Sequence, residues 1–250
     1  MNVIWIALLA LGAFFLIRSF HTSAAKANSA KQNYQAAMKH WEAAYRKRPD
    51  QNKGLQYGYL LLRSGDWAQA EQIFHEVLEM QNLKEQNRFQ TEMMLGLVAW
   101  KKGDLDGAIQ TYEQLHSQGE NTVVYANLGF LYLLRDQPEK VLPFLQQAYA
   151  YNDSNPVIID NLAEGYSRVG NLEQAEDLLQ KALKLPRPIA ENYYHYGVLL
   201  QQKGEKEQAV SYLEQAAKMD LNALSGLDRQ EIQHRIDQLK QELNENGEEK

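Results

Sequence analysis

The sequence predicts an all-α solenoid of about six stacked helix pairs, closed by a C-terminal capping helix and preceded by one N-terminal transmembrane helix. Three observations predict it. A small residue recurs at Ala37, Ala70, Ala108, Val141, Ala175 and Ala209, at intervals of 33, 38, 33, 34 and 34, and a period held through five intervals marks a repeat array rather than a single core. Near the end, Ile232, Ile236, Leu239 and Leu243 fall on one helical stripe, the apolar face that such an array needs to cover its last repeat. At the start, Val3 to Ile17 is an unbroken apolar run.

That run, VIWIALLALGAFFLI, spans only about 22 Å at ~1.5 Å per residue, against ~30 Å of hydrocarbon. Residues 1–20 therefore make up the expected anchor, with Trp5 near one interface and Arg18 snorkelling outward. A cleaved signal peptide competes, because Ala25-Lys26-Ala27 offers small residues for cleavage, although no Lys or Arg precedes the run. Arg18, Lys26, Lys31 and Lys39 all follow it, which by the positive-inside rule places the remaining chain on the cytoplasmic side of a single-pass membrane protein. The periplasmic or extracellular side is the alternative if the segment is removed.

Charge is uneven along the chain. The formal net charge is -6. Residues 1–50 carry seven Lys/Arg against two Asp/Glu, or +5, which leaves -11 for the rest. Arg46, Lys47 and Arg48 belong to this basic foot and either face anionic headgroups or lie on a solvated helix face. An acidic body argues against a nucleic-acid groove.

Residues 21–51 read as a basic juxtamembrane segment and a degenerate first repeat, in which 33–49 form the second helix and 18–31 its partner. The array proper occupies 52–221. Its clearest unit is Leu162 to Ala182, LAEGYSRVGNLEQAEDLLQKA: two short amphipathic helices meeting at Gly170-Asn171. Equivalent positions return as Tyr57-Gly58, Leu95-Gly96, Leu128-Gly129 and Tyr196-Gly197, each followed by its small residue and a bulky one. This pattern resembles the tetratricopeptide repeat, with its W-x2-L-G-x2-Y, A-x3-F and terminal Pro within about 34 residues. The resemblance implies a right-handed superhelix. Gly65, Gly103, Gly170 and Gly204 close first helices where a left-handed residue is needed. Gln81 to Gln90 makes a longer connection that extends a helix or a loop by about a turn. Pro138 suits a helix start, whereas Pro143 should bend or delay that helix. Residues 222–243 hold the capping helix, with a coiled-coil seam as its rival, and 244–250 form a polar tail expected to be disordered.

Chemistry finds little purchase in this sequence. There is no cysteine, and the six histidines are scattered without metal-ligand spacing. No phosphate loop or nucleophile elbow occurs. Asp160 and Glu164 sit one turn apart and read as a solvated helix face. The expectation is a non-enzyme without metal or cofactor and with no evident small-molecule substrate.

Binding is what the resemblance implies. In tetratricopeptide repeat proteins the first helices line a concave groove, and the matching positions here are Leu55, Tyr59 and Leu62; Met93, Leu97 and Trp100; Ala126, Phe130 and Leu133; then Asp160, Asn161, Glu164 and Arg168; and finally Tyr194, His195 and Val198. Tyr59, Met93, Trp100, Asn127, Phe130, Asn161, Arg168 and Tyr194 are the candidate contacts, with Asn127 and Asn161 offering amides to a bound backbone. Leu62, Leu97 and Leu133 read as packing between repeats. The carboxylate clamp by which some family members hold chaperone tails is absent, since Leu55, Tyr59, Met93 and Leu97 stand in its place. The partner expected is a protein helix or an extended peptide with apolar anchors, held by a membrane-tethered scaffold that supports assembly of a membrane-associated complex. Two alternatives stay open: an exported assembly factor of the envelope or secretion machinery, and a regulatory subunit of an enzyme complex.

Overall fold

The computed structural model describes residues 33–135 and 137–248, all helix or connection, with no strand among them. The anchor expected at 1–20, with Trp5 and Arg18, lies outside the described residues, as do the partner helix expected at 18–31 and the candidate cleavage site. Among the described residues no helix is long and apolar enough to cross a membrane.

Twelve helices follow one another among the described residues. Helix α1 covers residues 33–47. Five pairs come next: α2 (Gln51–Ser64) with α3 (Trp67–Leu78), α4 (Glu85–Lys101) with α5 (Leu105–Ser117), α6 (Thr122–Arg135) with α7 (Pro138–Tyr151), α8 (Pro156–Arg168) with α9 (Leu172–Leu183), and α10 (Ala190–Gln202) with α11 (Lys206–Lys218). Helix α12 (Arg229–Glu248) ends the array. Each pair forms because a small residue lets its helices cross closely. A Cβ on Gly58 would meet the Phe74 ring at 2.5 Å, and one on Gly96 would meet Tyr112 at 2.7 Å.

The connections inside pairs are set by two local devices. Gly65, Gly103, Gly170 and Gly204 adopt positive φ between 80 and 93°, the left-handed geometry that lets a helix stop and the chain reverse. Asp66, Asp104 and Asn171 then cap α3, α5 and α9, each accepting from the backbone N–H three residues on.

Neighbouring first helices touch directly, α2 with α4, α6 with α8 and α8 with α10, whereas each second helix packs mainly against the first helices that flank it. The first helices thus make the tighter inner row, and the stack curves around them. Side chains one repeat apart tie this row together. Asn87 donates to Gln51 and Asn52, Asn161 to the Ala126 carbonyl at 2.8 Å, Arg168 to the Leu133 carbonyl at 2.6 Å, and Arg235 to Gln201 at 2.9 Å.

Three expectations need correction or refinement. The extra residues before the third repeat are absorbed as helix: α4 runs 17 residues against 14 in α6, and the Gln51 side chain fastens the added turn by accepting from Lys84 N–H and donating to the Asn82 carbonyl. Pro143 does not delay α7, which begins at Pro138 and runs to Tyr151 with Pro143 inside it. The reason is position: Pro143 is exposed and near the helix start, so the Glu139 carbonyl it leaves without an amide is open to water. The polar tail is not disordered from residue 244, because α12 continues to Glu248. Gln241 donates to Glu245 one turn on, which supports the helix across Asn244. The same helix starts only at Arg229, capped by Asp228, whose carboxylate accepts from Gln230 N–H. Ile232, Ile236 and Leu239 are buried and α12 packs on α11.

Candidate functional site

The inner row gives the groove two chemically different ends. Repeats around α2, α4 and α6 supply an aromatic wall. Trp100 and Phe130 meet edge to face at 4.9 Å, the Lys101 ammonium lies 3.9 Å from the Trp100 ring, and Arg63 stands 5.9 Å from the Tyr59 ring. Tyr59 remains exposed at 38%.

The other end, on α8 and α10, holds a buried ionic network. Asp160 is 3% exposed and receives hydrogen bonds from Asn192 at 3.0 Å and from His195 Nδ1 at 2.8 Å. Glu164 lies 3.8 Å from the other imidazole nitrogen and pairs with Arg168. Burial works against the charged imidazole, but the carboxylates of Asp160, Glu164 and Glu191 overcome it and hold the His195 pKa up at about 9. Asp160 is therefore no solvated face, contrary to the sequence reading. Its partners come from the next repeat, and a lone buried carboxylate would be too costly to keep without them. Beside the network opens a cavity of about 210 Å³ lined chiefly by Glu164, Ser167, Arg168, Tyr194, His195 and Gln202. Among the described residues no group of His, Asp or Glu converges as a metal site.

The predicted contacts divide between surface and scaffold. Tyr59, Trp100, Phe130, Arg168 and Tyr194 stand at or near the groove surface. Met93 is only 7% exposed and belongs to the core between α4 and α6. Both asparagines already donate a hydrogen bond within the array. Asn161 is buried and spent on the Ala126 carbonyl, while Asn127 donates to the Tyr112 hydroxyl at 2.8 Å. Equivalent positions do equivalent structural work, since each amide satisfies a polar group that the close packing of helices buries. Leu62 and Leu133 are core, as expected of packing residues, and Leu97 packs at the junction of two core clusters.

Sequence reasoning missed the feature that dominates the groove. The connection from α11 to α12, residues 219–228, does not simply turn the chain but crosses the inner face of the stack. Asp220 pairs with Arg63 at 3.4 Å, and Ala223 N–H donates to the Arg63 carbonyl at 3.2 Å. Leu224 packs into the cluster of α1 to α4. Lys101 donates to the Ser225 carbonyl at 2.9 Å, and the Ser225 hydroxyl donates to Glu191 at 2.7 Å. Gly226 faces the Phe130 ring, which a Cβ there would meet at 3.2 Å. Contacts 124 and 157 residues apart leave no periodic trace, and the only signal in the sequence is that this link breaks the repeat spacing.

Comparisons with known proteins agree with this architecture. The family description tetratricopeptide repeat matches residues 23–222. A protein of Pyropia yezoensis described as uncharacterized protein ycf37 is 35% identical over 81 residues, 31% of this chain and 46% of that one, so the match spans about half of the relative's length. Among solved structures, a tetratricopeptide repeat protein of Thermus thermophilus superposes with a TM-score of 0.61 at 18% identity, over 76% of this chain and 98% of that chain. The hetero-tetramer Cut9–Hcn1 of the APC/C gives 0.67 at 16% identity, over 84% and 40%. At these identities the structures speak for the fold alone. The period, the stacked helix pairs and the matched span together mean that this chain belongs to the tetratricopeptide repeat family.

Proposed function

We propose that this protein is a scaffold that holds an extended segment of a partner protein in the groove of its repeats, tethered to a membrane by its N-terminal apolar run and supporting assembly of a complex there. Tetratricopeptide repeat proteins generally mediate protein–protein interactions and peptide binding, and their fold is typically a non-catalytic scaffold. The observation that carries the reading here is the course of residues 219–228. A groove wall that takes main-chain and side-chain hydrogen bonds from a non-helical stretch of polypeptide is chemically suited to another such stretch. An extended segment is thereby favoured over a helix as the ligand. Preordered walls leave most of the ordering cost to the partner, and tethering raises its local concentration.

The anchor rests on the composition of Val3 to Ile17, and the cytoplasmic side on the positive charges after it. Protease protection of a C-terminal tag in intact cells, with the mature N-terminus sequenced, tests both. A protected tag on a chain retaining Met1 to Phe20 is expected, whereas digestion from outside or a chain beginning near Asn28 would replace this reading with an exported assembly factor. The groove itself is tested by a photo-crosslinking residue placed at Tyr59 or Tyr194, against one at the exposed, outward-facing Gln110. Adducts from the groove positions alone are expected, and equal or exclusive labelling through Gln110 would sink the groove reading.

A further inference from the structure

The two helices around the α11–α12 connection pack on each other, yet residues 219–228 join them, where three residues, 169–171 or 203–205, suffice between α8 and α9 or α10 and α11. Much of the surplus is spent in the groove. It touches α2 through Arg63, α4 through Lys101, α6 through Phe130 and α10 through Glu191. These are first helices of four different repeats. Ser225 alone bridges α4 and α10, its carbonyl taking the Lys101 ammonium and its hydroxyl reaching the Glu191 carboxylate.

The grip is built from separable parts. An acid, Asp220, meets Arg63 at the groove's edge. A turn closed by Asn222, whose carboxamide oxygen accepts from Leu224 N–H and whose carbonyl accepts from Ser225 N–H, presents Leu224 to the apolar cluster. A small hydroxyl residue and a glycine follow, the one on Lys101 and Glu191, the other where a Cβ would crowd the Phe130 ring. Leu224 packs on the core cluster of the first repeats and Leu221 on that of the last, while the remaining contacts are partly exposed polar ones. Such contacts are individually weak and reversible.

Resting on the groove reading above, we propose that residues 220–226, DLNALSG, are an intramolecular stand-in for the partner: a displaceable occupant that keeps the groove closed until a segment of the same chemistry takes its place. The partner class follows from the grip. It is an extended protein segment with an acidic residue, then a small residue and a leucine three and four positions later, followed directly by Ser or Thr and Gly. A linked occupant acts at an effective concentration in the millimolar range, so a competing segment binds in proportion to how often the stand-in lets go.

The test uses a fluorescein-labelled peptide of residues 218–228 and three forms of the full chain. Wild type is the first. The second is Leu224→Asp with Ser225→Ala, which removes the apolar anchor and the bridging hydroxyl. The third is Gly65→Cys with Ala223→Cys. The chain has no cysteine of its own, and a Cβ at Gly65 lies 3.6 Å from that of Ala223, within disulfide reach, so oxidation locks the segment in place.

Fluorescence anisotropy is expected to give at least tenfold tighter peptide binding to the released form than to wild type, and none to the locked form until dithiothreitol restores the wild-type level. Equal binding by all three forms would overturn the proposal; if backbone strain at Gly65→Cys, where φ is 89°, prevents the disulfide, the released form against wild type decides. So would a released form that keeps its helicity and binds no peptide. Should the released form lose helicity, oxidised against reduced locked protein decides alone. A scaffold that crosslinks its partner through the groove while its own segment proves undisplaceable would lose this inference and keep the function, whereas crosslinking through Gln110 alone would remove both.

Discussion

The two ends of the groove use the same helix positions for opposite purposes. On α2, α4 and α6 the inward side chains are aromatic and half-exposed, and the chain's own segment lies over them. On α8 and α10 they are charged and close on each other as Asp160, His195, Glu164 and Arg168, with Asp160 buried beneath the others. One end is a surface waiting for contact, and the other is a joint between repeats that carries a cavity on its rim. A repeat array thus divides labour along its length without changing its fold. Stability and recognition should accordingly separate by mutation.

The largest separation is expected at Asp160. Asp160→Ala leaves the buried His195 and Asn192 without their acceptor, and breaking a buried ionic pair costs on the order of 3 kcal/mol. Denaturant unfolding at pH 6 measures it, and a loss below about 1 kcal/mol would mean that the network is ornamental. The pH dependence sharpens the point. Because His195 titrates at about 9 in the folded chain against 6.5 unfolded, its contribution is complete below pH 6.5 and is lost as pH rises through 9. The groups acting on it are Asp160 and Glu164 from α8 and Glu191 from α10, with Arg168 paired to Glu164. Stability should fall by at most about 3 kcal/mol across that window. His195→Gln should flatten the profile, and an unchanged slope in that variant would assign the titration elsewhere.

Why the joint was misread in the sequence is instructive. Gly65, Gly103, Gly170 and Gly204 were legible because a left-handed helix end is decided by the residue that occupies it. Ile232, Ile236 and Leu239 were legible because a helical stripe needs no knowledge of its partner. Asp160 looked solvated because its own helix offers only Glu164 and Arg168 nearby. Its true partner, His195, lies 35 residues on. Aligning each first helix with the next at one period brings Asp160 beside His195 and Asn161 beside Ala126, so that signal was present in the register. No register predicts residues 219–228 reaching Arg63 and Lys101. Folding the array into a curve creates those neighbours, and the curve is a property of the whole stack.

A smaller effect is expected where the two ends share a device. Asn161→Ala removes one inter-repeat hydrogen bond to a carbonyl at a buried site, which is worth about 1 kcal/mol. Asn127→Ala frees the Tyr112 hydroxyl, which still donates to the Met93 carbonyl at 2.9 Å, so its cost should be lower. Thermal melts of the two variants in one buffer compare them directly. If Asn127→Ala proves the more damaging, the hydroxyl it serves is more dependent on that amide than its bond to Met93 suggests.

The smallest effect on stability, and the sharpest test of the division itself, is expected at Tyr59. Its ring is exposed and its neighbour Arg63 lies at the outer range of a cation–π contact, so Tyr59→Ala should move stability by no more than about 0.5 kcal/mol. Trp100→Ala is the demanding companion, because that ring holds both Phe130 and Lys101 in place. Groove adducts should fall in both variants, and the melting temperature should hold in the first. Loss of stability in Tyr59→Ala with capture intact would reverse the assignment, making the aromatic end a structural joint like the charged one and leaving the cavity beside Tyr194 and His195 as the place where the array meets its partner.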